Sequence, residues 1–177
     1  DALYMWTQYN TEGLKAPGYS YSRLPDAQSS SLKNSSRMTE KEHIINCMSP
    51  LVPALDKADP GWAIFGSAAL VLCGMDMPVG DIDIILSREG AARMEQEWLK
   101  TGTTLPPDQE SAPESLFRSH LVRNNSTSIM VELSGGLEIR TEKGWMPVRP
   151  REVLTTPAGI RHCSLPECRR LLTLFGR

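Results

Sequence analysis

Two acids spaced two residues apart inside a run of isoleucines, Asp81-Ile82-Asp83-Ile84-Ile85-Leu86, constrain this chain more than any other feature. The run is short and β-branched, and reads as a strand over Asp81–Leu86. Residues two apart on a strand share a face, so Asp81 and Asp83 point one way and Ile82 and Ile84 the other. The isoleucines pack underneath and hold both carboxylates in place. A buried carboxylate without a partner is costly, so two on one face call for something to neutralise them.

The neighbouring segments set this strand in an α/β frame. Gly61-Trp62-Ala63-Ile64-Phe65 reads as a short buried strand stopped by Gly66-Ser67, followed by a helix over Ala68–Gly74 and a turn through Pro78 and Gly80. Ser87 is placed to cap a helix over Glu89–Lys100, whose Ala91, Met94 and Trp98 recur at helical spacing, and Gly102 ends it. Residues 103–115, with three prolines, read as a loop. Leu116–Arg123 and Ser128–Ser134 are expected to pair as strands, and Leu137–Thr141 with Trp145–Val148 as a hairpin. A last strand near Ile160–Cys163 leads to Ser164, an N-cap with Glu167 three residues on, and Gly176 stops the final helix. Upstream, Thr39 and Glu42 form a capping box before Ile44, Ile45, Met48, Val52 and Leu55, in a region that Pro50 and Pro53 interrupt. Hairpins beside helix crossovers give a mixed sheet flanked by helices.

At 177 residues the chain has room for one domain plus an arm. Residues 1–37 hold all four tyrosines and seven serines but no Ile, Val or Phe, too few aliphatic side chains to offset ordering. They are expected to be a flexible N-terminal extension, with the domain over 38–177. The 19 Lys and Arg against 21 Asp and Glu leave a net charge of −2, which excludes a strongly basic duplex binder. No run of 18 apolar residues is present, so no membrane span is expected. Cys47, Cys73, Cys163 and Cys168 make no CxxC pair, and His162-Cys163 with Cys168 fits no common zinc spacing. Free thiols in a reducing, cytoplasmic setting are the expectation.

Thirteen residues separate Gly66-Ser67 from Asp81. A strand running into Gly-Ser at a helix start exposes main-chain N–H groups suited to phosphate oxygens, and the Ser67 hydroxyl adds a donor. The Asp81–Asp83 pair suits a hard divalent cation with oxygen ligands, magnesium above all, with manganese as its substitute. A phosphate cradle beside metal-binding carboxylates describes a nucleoside triphosphate with its metal. Glu132, the one acid in Ile129-Met130-Val131-Glu132-Leu133-Ser134, is the candidate third carboxylate, either as a metal ligand or as the base toward an acceptor hydroxyl.

Gly-Ser, a helix, then Asp-x-Asp between apolar residues resembles the signature of the nucleotidyltransferases related to DNA polymerase beta, which include minimal and antibiotic-type members. The resemblance covers about Thr39 to Arg177. It implies a mixed sheet flanked by helices, Gly66 and Ser67 contacting the triphosphate, and Asp81 and Asp83 as metal ligands with Glu132 as the third acid. It also implies magnesium-dependent transfer of a nucleoside monophosphate from an NTP to a hydroxyl or phosphate acceptor, with release of pyrophosphate. The resemblance leaves the acceptor open among a small molecule, an RNA end and a protein. Many members carry a further helical domain that shapes the acceptor site. Here the sequence stops after one helix, so that site is expected from a partner subunit, as in a homodimer, from loop 103–115, or from residues outside this sequence.

Other residues are weaker candidates. Arg88, Arg118 and Arg123 could meet phosphates but are expected in solvated or paired positions. His43 reads as one face of the first helix, and no nucleophile–histidine–acid order can be read around His120 or His162. Glu138 and Arg140 alternate with Ile139 as a solvent-facing edge, and Trp98 and Trp145 read as core or interface. The competing readings are a non-catalytic nucleotide- or partner-binding module on the same fold, and an unrelated fold with a structural metal. A P-loop kinase or ATPase is not expected, because no Gly-x-x-x-x-Gly-Lys-Ser/Thr occurs.

Overall fold

The computed structural model describes residues 38–102, 104–105 and 116–176. The flexible extension expected over 1–37, and most of the loop expected over 103–115, lie outside the described residues.

The described chain begins with α1 (Glu40–Met48), opened by the expected capping box. Thr39 Oγ1 accepts from the Glu42 N–H at 3.2 Å, and the Glu42 carboxylate accepts from the Thr39 N–H at 2.8 Å. The prolines divide this helical region as expected. Pro50 lies in the gap, and α2 (Val52–Ala58) carries Pro53 in its first turn, where no intrahelical N–H is needed. Next come β1 (Ala63–Phe65), α3 (Gly66–Leu72) and β2 (Asp81–Leu86). α3 starts at Gly66 instead of Ala68, because the positive φ of Gly66, 69°, turns the chain from strand to helix in one residue. α4 (Arg88–Thr101) is capped by the Ser87 hydroxyl, which accepts from the Gly90 N–H, and it ends at left-handed Gly102.

Then follow β3 (Thr104–Leu105), β4 (Phe117–Asn124), β5 (Met130–Thr141), β6 (Gly144–Pro147), β7 (Val153–Thr155), β8 (Arg161–Cys163) and α5 (Leu165–Leu174). Among the described residues the strands form one eight-stranded sheet, in the order β3-β4-β5-β2-β1-β8-β7, with β6 pairing to β5 off this path. β2 runs parallel to β5 and β1 parallel to β8, while the other pairs are antiparallel. The fold is the expected mixed sheet flanked by helices. β1 and β2 are antiparallel neighbours, so α3 returns the chain beside β1 and makes no parallel crossover.

Two local expectations change, and one strand comes without a sequence signal. Thr104 and Leu105 pair with Asn124 and Arg123, so the segment read as loop opens with a short strand. Ser128–Ser134 and Leu137–Thr141 were expected as separate strands, but Met130–Thr141 is one strand. Its glycines serve helix packing: a Cβ on Gly135 would lie 2.4 Å from Ala91 Cβ of α4, and Gly136 bends the strand beneath Arg88 at φ +61°. β7 has no burial alternation to betray it, since Val153, Leu154 and Thr155 are all exposed at the sheet edge.

The core is aliphatic with tryptophan. Trp62, Ile64, Ile82, Ile84 and Leu133 are wholly buried, with Met94 and Trp98 of α4 packed in as their spacing implied. The Trp62 indole N–H donates to Asp56 at 2.8 Å, which satisfies the one polar atom that its burial would strand.

Candidate active site

Strand register assembles the site. Phe65 of β1 faces Asp83 of β2, Asp83 faces Glu132 of β5, and Glu132 faces Arg123 of β4. Directly paired residues project from one face of a sheet, so these four side chains form a row across it, and Asp81 joins them from two residues earlier on β2. Oxygens of Asp81, Asp83 and Glu132 all lie within 4.8 Å of one another, the one such cluster of possible metal-ligating groups among the described residues. Beneath them Ile82 and Ile84 have no exposed surface, which fixes the strand that presents the acids.

The electrostatics of the row are strained. Burial pushes the Asp81 carboxyl above its ordinary range, the Glu132 charge pushes it the same way, and Arg123 opposes both. Arg123 Nε donates to Glu132 Oε1 at 2.8 Å, with about a fifth or less of either side chain exposed. Of the three arginines singled out from sequence, only Arg123 stands in this row. Arg118 pairs with Glu138 at 2.5 Å and lies over the Trp145 ring, 4.5 Å from its centroid. Arg88 heads α4, beyond the Leu86 end of β2. There it lines a separate cavity of about 470 Å³ with Asp59, Ser87 and Arg149, and none of the three acids lines that cavity.

Gly66 and Ser67 open α3 immediately after Phe65. The N-cap side chain is that of Phe65, which has no oxygen to satisfy the first-turn N–H groups. The turn also touches the acids, since a Cβ on Gly66 would lie 3.0 Å from Asp83 Oδ2. A side chain at residue 66 would thus meet both an unfavourable φ and the Asp83 carboxylate.

The remaining candidates have structural partners. His120 Nε2 bonds Glu95 at 2.9 Å, and buried His162 bonds the Cys163 carbonyl through Nδ1 at 3.1 Å. Burial holds the His162 ring below its ordinary pKa, with the Cys163 carbonyl acting the other way. All four cysteines are free thiols. His43 was read only as a helix face, yet its Nε2 lies 2.5 Å from Ser128 Oγ, and Cys47 Sγ lies 3.2 Å from the same oxygen. No sequence signal links these groups, which stand some eighty residues apart.

No helix among the described residues is long and apolar enough to cross a membrane. No family model and no curated protein matches the chain. Among solved structures it is similar to a candidate nucleotidyltransferase from Thermotoga maritima, with a TM-score of 0.64 and 25% sequence identity, over 82% of this chain and 91% of that one. Together with a mixed sheet that sets a Gly-Ser turn against an Asp-x-Asp strand, this likeness over most of both chains assigns the protein to the nucleotidyltransferase superfamily.

Proposed function

We propose that this chain transfers a nucleoside monophosphate from an NTP to a hydroxyl or phosphate acceptor, with release of pyrophosphate, at the row formed by Asp81, Asp83 and Glu132. The observation that carries this reading is the juxtaposition of the two halves of the site: oxygens of three carboxylates within 4.8 Å of one another, and a glycine turn so near that a Cβ on Gly66 would lie 3.0 Å from Asp83 Oδ2.

The donor set fits a hard divalent cation. All three ligating groups are carboxylates, and Asp81 is held in a state that disfavours its charge until a cation joins it. Magnesium suits such an all-oxygen set, and manganese can replace it. Asp81 and Asp83 would hold the ion, with Glu132 as third ligand. When bound, the ion supplies charge neutralisation on the phosphoryl oxygens.

The protein's own groups do the rest. The Gly66 and Ser67 N–H groups and the Ser67 hydroxyl bind the triphosphate, and Gly66 lets it approach the main chain. Arg123 holds Glu132 Oε1 and so fixes the carboxylate in the row, leaving Oε2 for the ion or for the acceptor's proton. Four free thiols accord with a reducing, cytoplasmic setting.

Incubation with each labelled NTP, magnesium and a cell extract tests the proposal by showing which molecule acquires label. Asp81→Asn and Asp83→Asn should each abolish transfer while the fold remains; turnover at the wild-type rate in either variant would reject the assignment. Nucleotide binding without any product would favour the non-catalytic module instead.

A further inference from the structure

The hydroxyl of Ser128 is held in a geometry that secondary structure does not need. Ser128 is exposed on the connection between β4 and β5, and its Oγ lies 2.5 Å from His43 Nε2 of α1. Cys47, one turn along α1, places its Sγ 3.2 Å from the same oxygen. With His43 protonated at Nδ1, the three groups form a chain in which the Cys47 thiol donates to Ser128 Oγ and the Ser128 hydroxyl donates to His43 Nε2. That is the arrangement of a nucleophilic hydroxyl beside its general base, with an oxygen lone pair left for attack.

Topology sets this pair on the side of the acids where an acceptor belongs. The sheet order β1-β2-β5 puts the Gly66 turn to one side of the aspartates and the strand that follows Ser128 to the other. In-line displacement requires the nucleophile opposite the leaving pyrophosphate, hence opposite the turn that binds it. Met130 faces Asp81 across the β5–β2 pair, and Ser128 is two residues before Met130. Two residues span at most about 7 Å and neighbouring strands lie about 5 Å apart, so the two Cα atoms are within about 12 Å.

We propose that Ser128 is itself an acceptor, and that the protein nucleotidylates its own Ser128 hydroxyl with His43 as general base. This rests on the nucleotidyl-transfer reading above and names a protein hydroxyl as the acceptor class. Ser128 Oγ attacks the α-phosphorus of an NTP, the new Oγ–P bond forms as the bond from that phosphorus to the pyrophosphate oxygen breaks, and the hydroxyl proton passes to His43 Nε2. The products are a Ser128 phosphodiester to the nucleoside and free pyrophosphate, with no oxidant or further reactant.

The test is intact-protein mass measurement and peptide mapping after the full chain is incubated with each NTP and magnesium, with pyrophosphate assayed in parallel. The expected result is a gain of one nucleoside monophosphate on the peptide containing Ser128. The gain should vanish in Ser128→Ala, persist in Ser128→Thr, and form at least tenfold more slowly in His43→Gln, with circular dichroism unchanged throughout. Label at wild-type level in Ser128→Ala, or an unslowed rate in His43→Gln, overturns the inference. Pyrophosphate release into another acceptor with Ser128 unmodified overturns it while nucleotidyl transfer stands. Neither label nor pyrophosphate with any NTP or acceptor removes both.

Discussion

Gly66 lies against Asp83, and a β-carbon at residue 66 would sit 3.0 Å from the Asp83 Oδ2 atom. The φ of +69° at Gly66 independently favours glycine, so one residue joins the turn to the acid row by absence of a side chain.

Gly66→Ala should therefore damage function more than folding. A non-glycine residue in the left-handed region costs about 1–2 kcal/mol. The displaced Asp83 carboxylate matters more, because a misplacement of about 1 Å in a reacting constellation can cost about a hundredfold in rate. Thermal melting should show a modest loss, and pyrophosphate release about a hundredfold loss. Near-normal turnover in the variant would disconnect the turn from the acids.

Gly135→Ala should do the reverse, unfolding the domain's centre without touching the site. The new methyl would fall 2.4 Å from Ala91 Cβ, inside any permitted contact, so α4 must lift from β5. Overpacking of this kind costs about 1–3 kcal/mol. Ala91→Gly in the same chain removes the closest of the clashes at about 1 kcal/mol of helix propensity, leaving the His120 carbonyl oxygen 3.2 Å and the Arg88 Cα 3.4 Å from the new methyl. A urea-melt double-mutant cycle should therefore show the pair more stable than the sum of its single changes. Strict additivity would mean that the helix does not rest on that glycine.

Glu167 makes the pH dependence of folding readable. Hydrogen bonds from Arg170 lower its pKa, burial opposes them, and the Arg151 N–H lowers it further at 2.8 Å. A carboxylate whose folded pKa is depressed stabilises the fold above its unfolded pKa, about 4.3, and that stability is lost as pH falls through the folded value. Thermal midpoints should decline as pH falls below about 4.3 in the wild type, and less steeply in Glu167→Gln. At pH 7 the substitution should cost about 1–3 kcal/mol, since it weakens charge-assisted bonds at a buried group. Parallel acid profiles for both proteins would show that Glu167 is not an anchor.

The same residue marks the boundary between what the chain discloses in one dimension and what it does not. Ser164 caps α5 as its spacing implies, its Oγ accepting from the Glu167 N–H at 3.2 Å. The Glu167 carboxylate, however, turns to Arg151 and Arg170 instead of back to the cap, because the loop before β7 brings an N–H to it. Local periodicity disclosed Asp81, Asp83 and the buried isoleucines, and Glu132 stood out as a lone acid in an apolar run. The pairing of Arg123 with Glu132 depends on the register of two strands, and the pairing of His43 with Ser128 on where α1 lies, and neither quantity is written in residue spacing. Gly135-Gly136 carries the signal of a break between strands but is used as clearance for a helix.

The acid row predicts how metal and stability are linked. Three carboxylates within 4.8 Å repel one another, and Arg123 is the positive charge in their register row. On the proposed reading the acids hold magnesium only in the folded chain, so the ion should raise the thermal midpoint. At a hundred times its dissociation constant the gain is about 2.7 kcal/mol, or roughly 5–10 °C for a domain of this size. Asp83→Asn should abolish that rise. Arg123→Met separates the two roles of the cation, because it leaves Glu132 without its partner while removing a charge that repels metal. The metal-free variant should melt lower than wild type, by about 1–3 kcal/mol for a half-buried pair. Its magnesium affinity, by titration calorimetry without nucleotide, should rise on the order of tenfold, because the repulsion of a nearby guanidinium is gone and Oε1 is released. An Arg123→Met protein that binds magnesium no better than wild type would mean that Arg123 does not compete with the ion for Glu132.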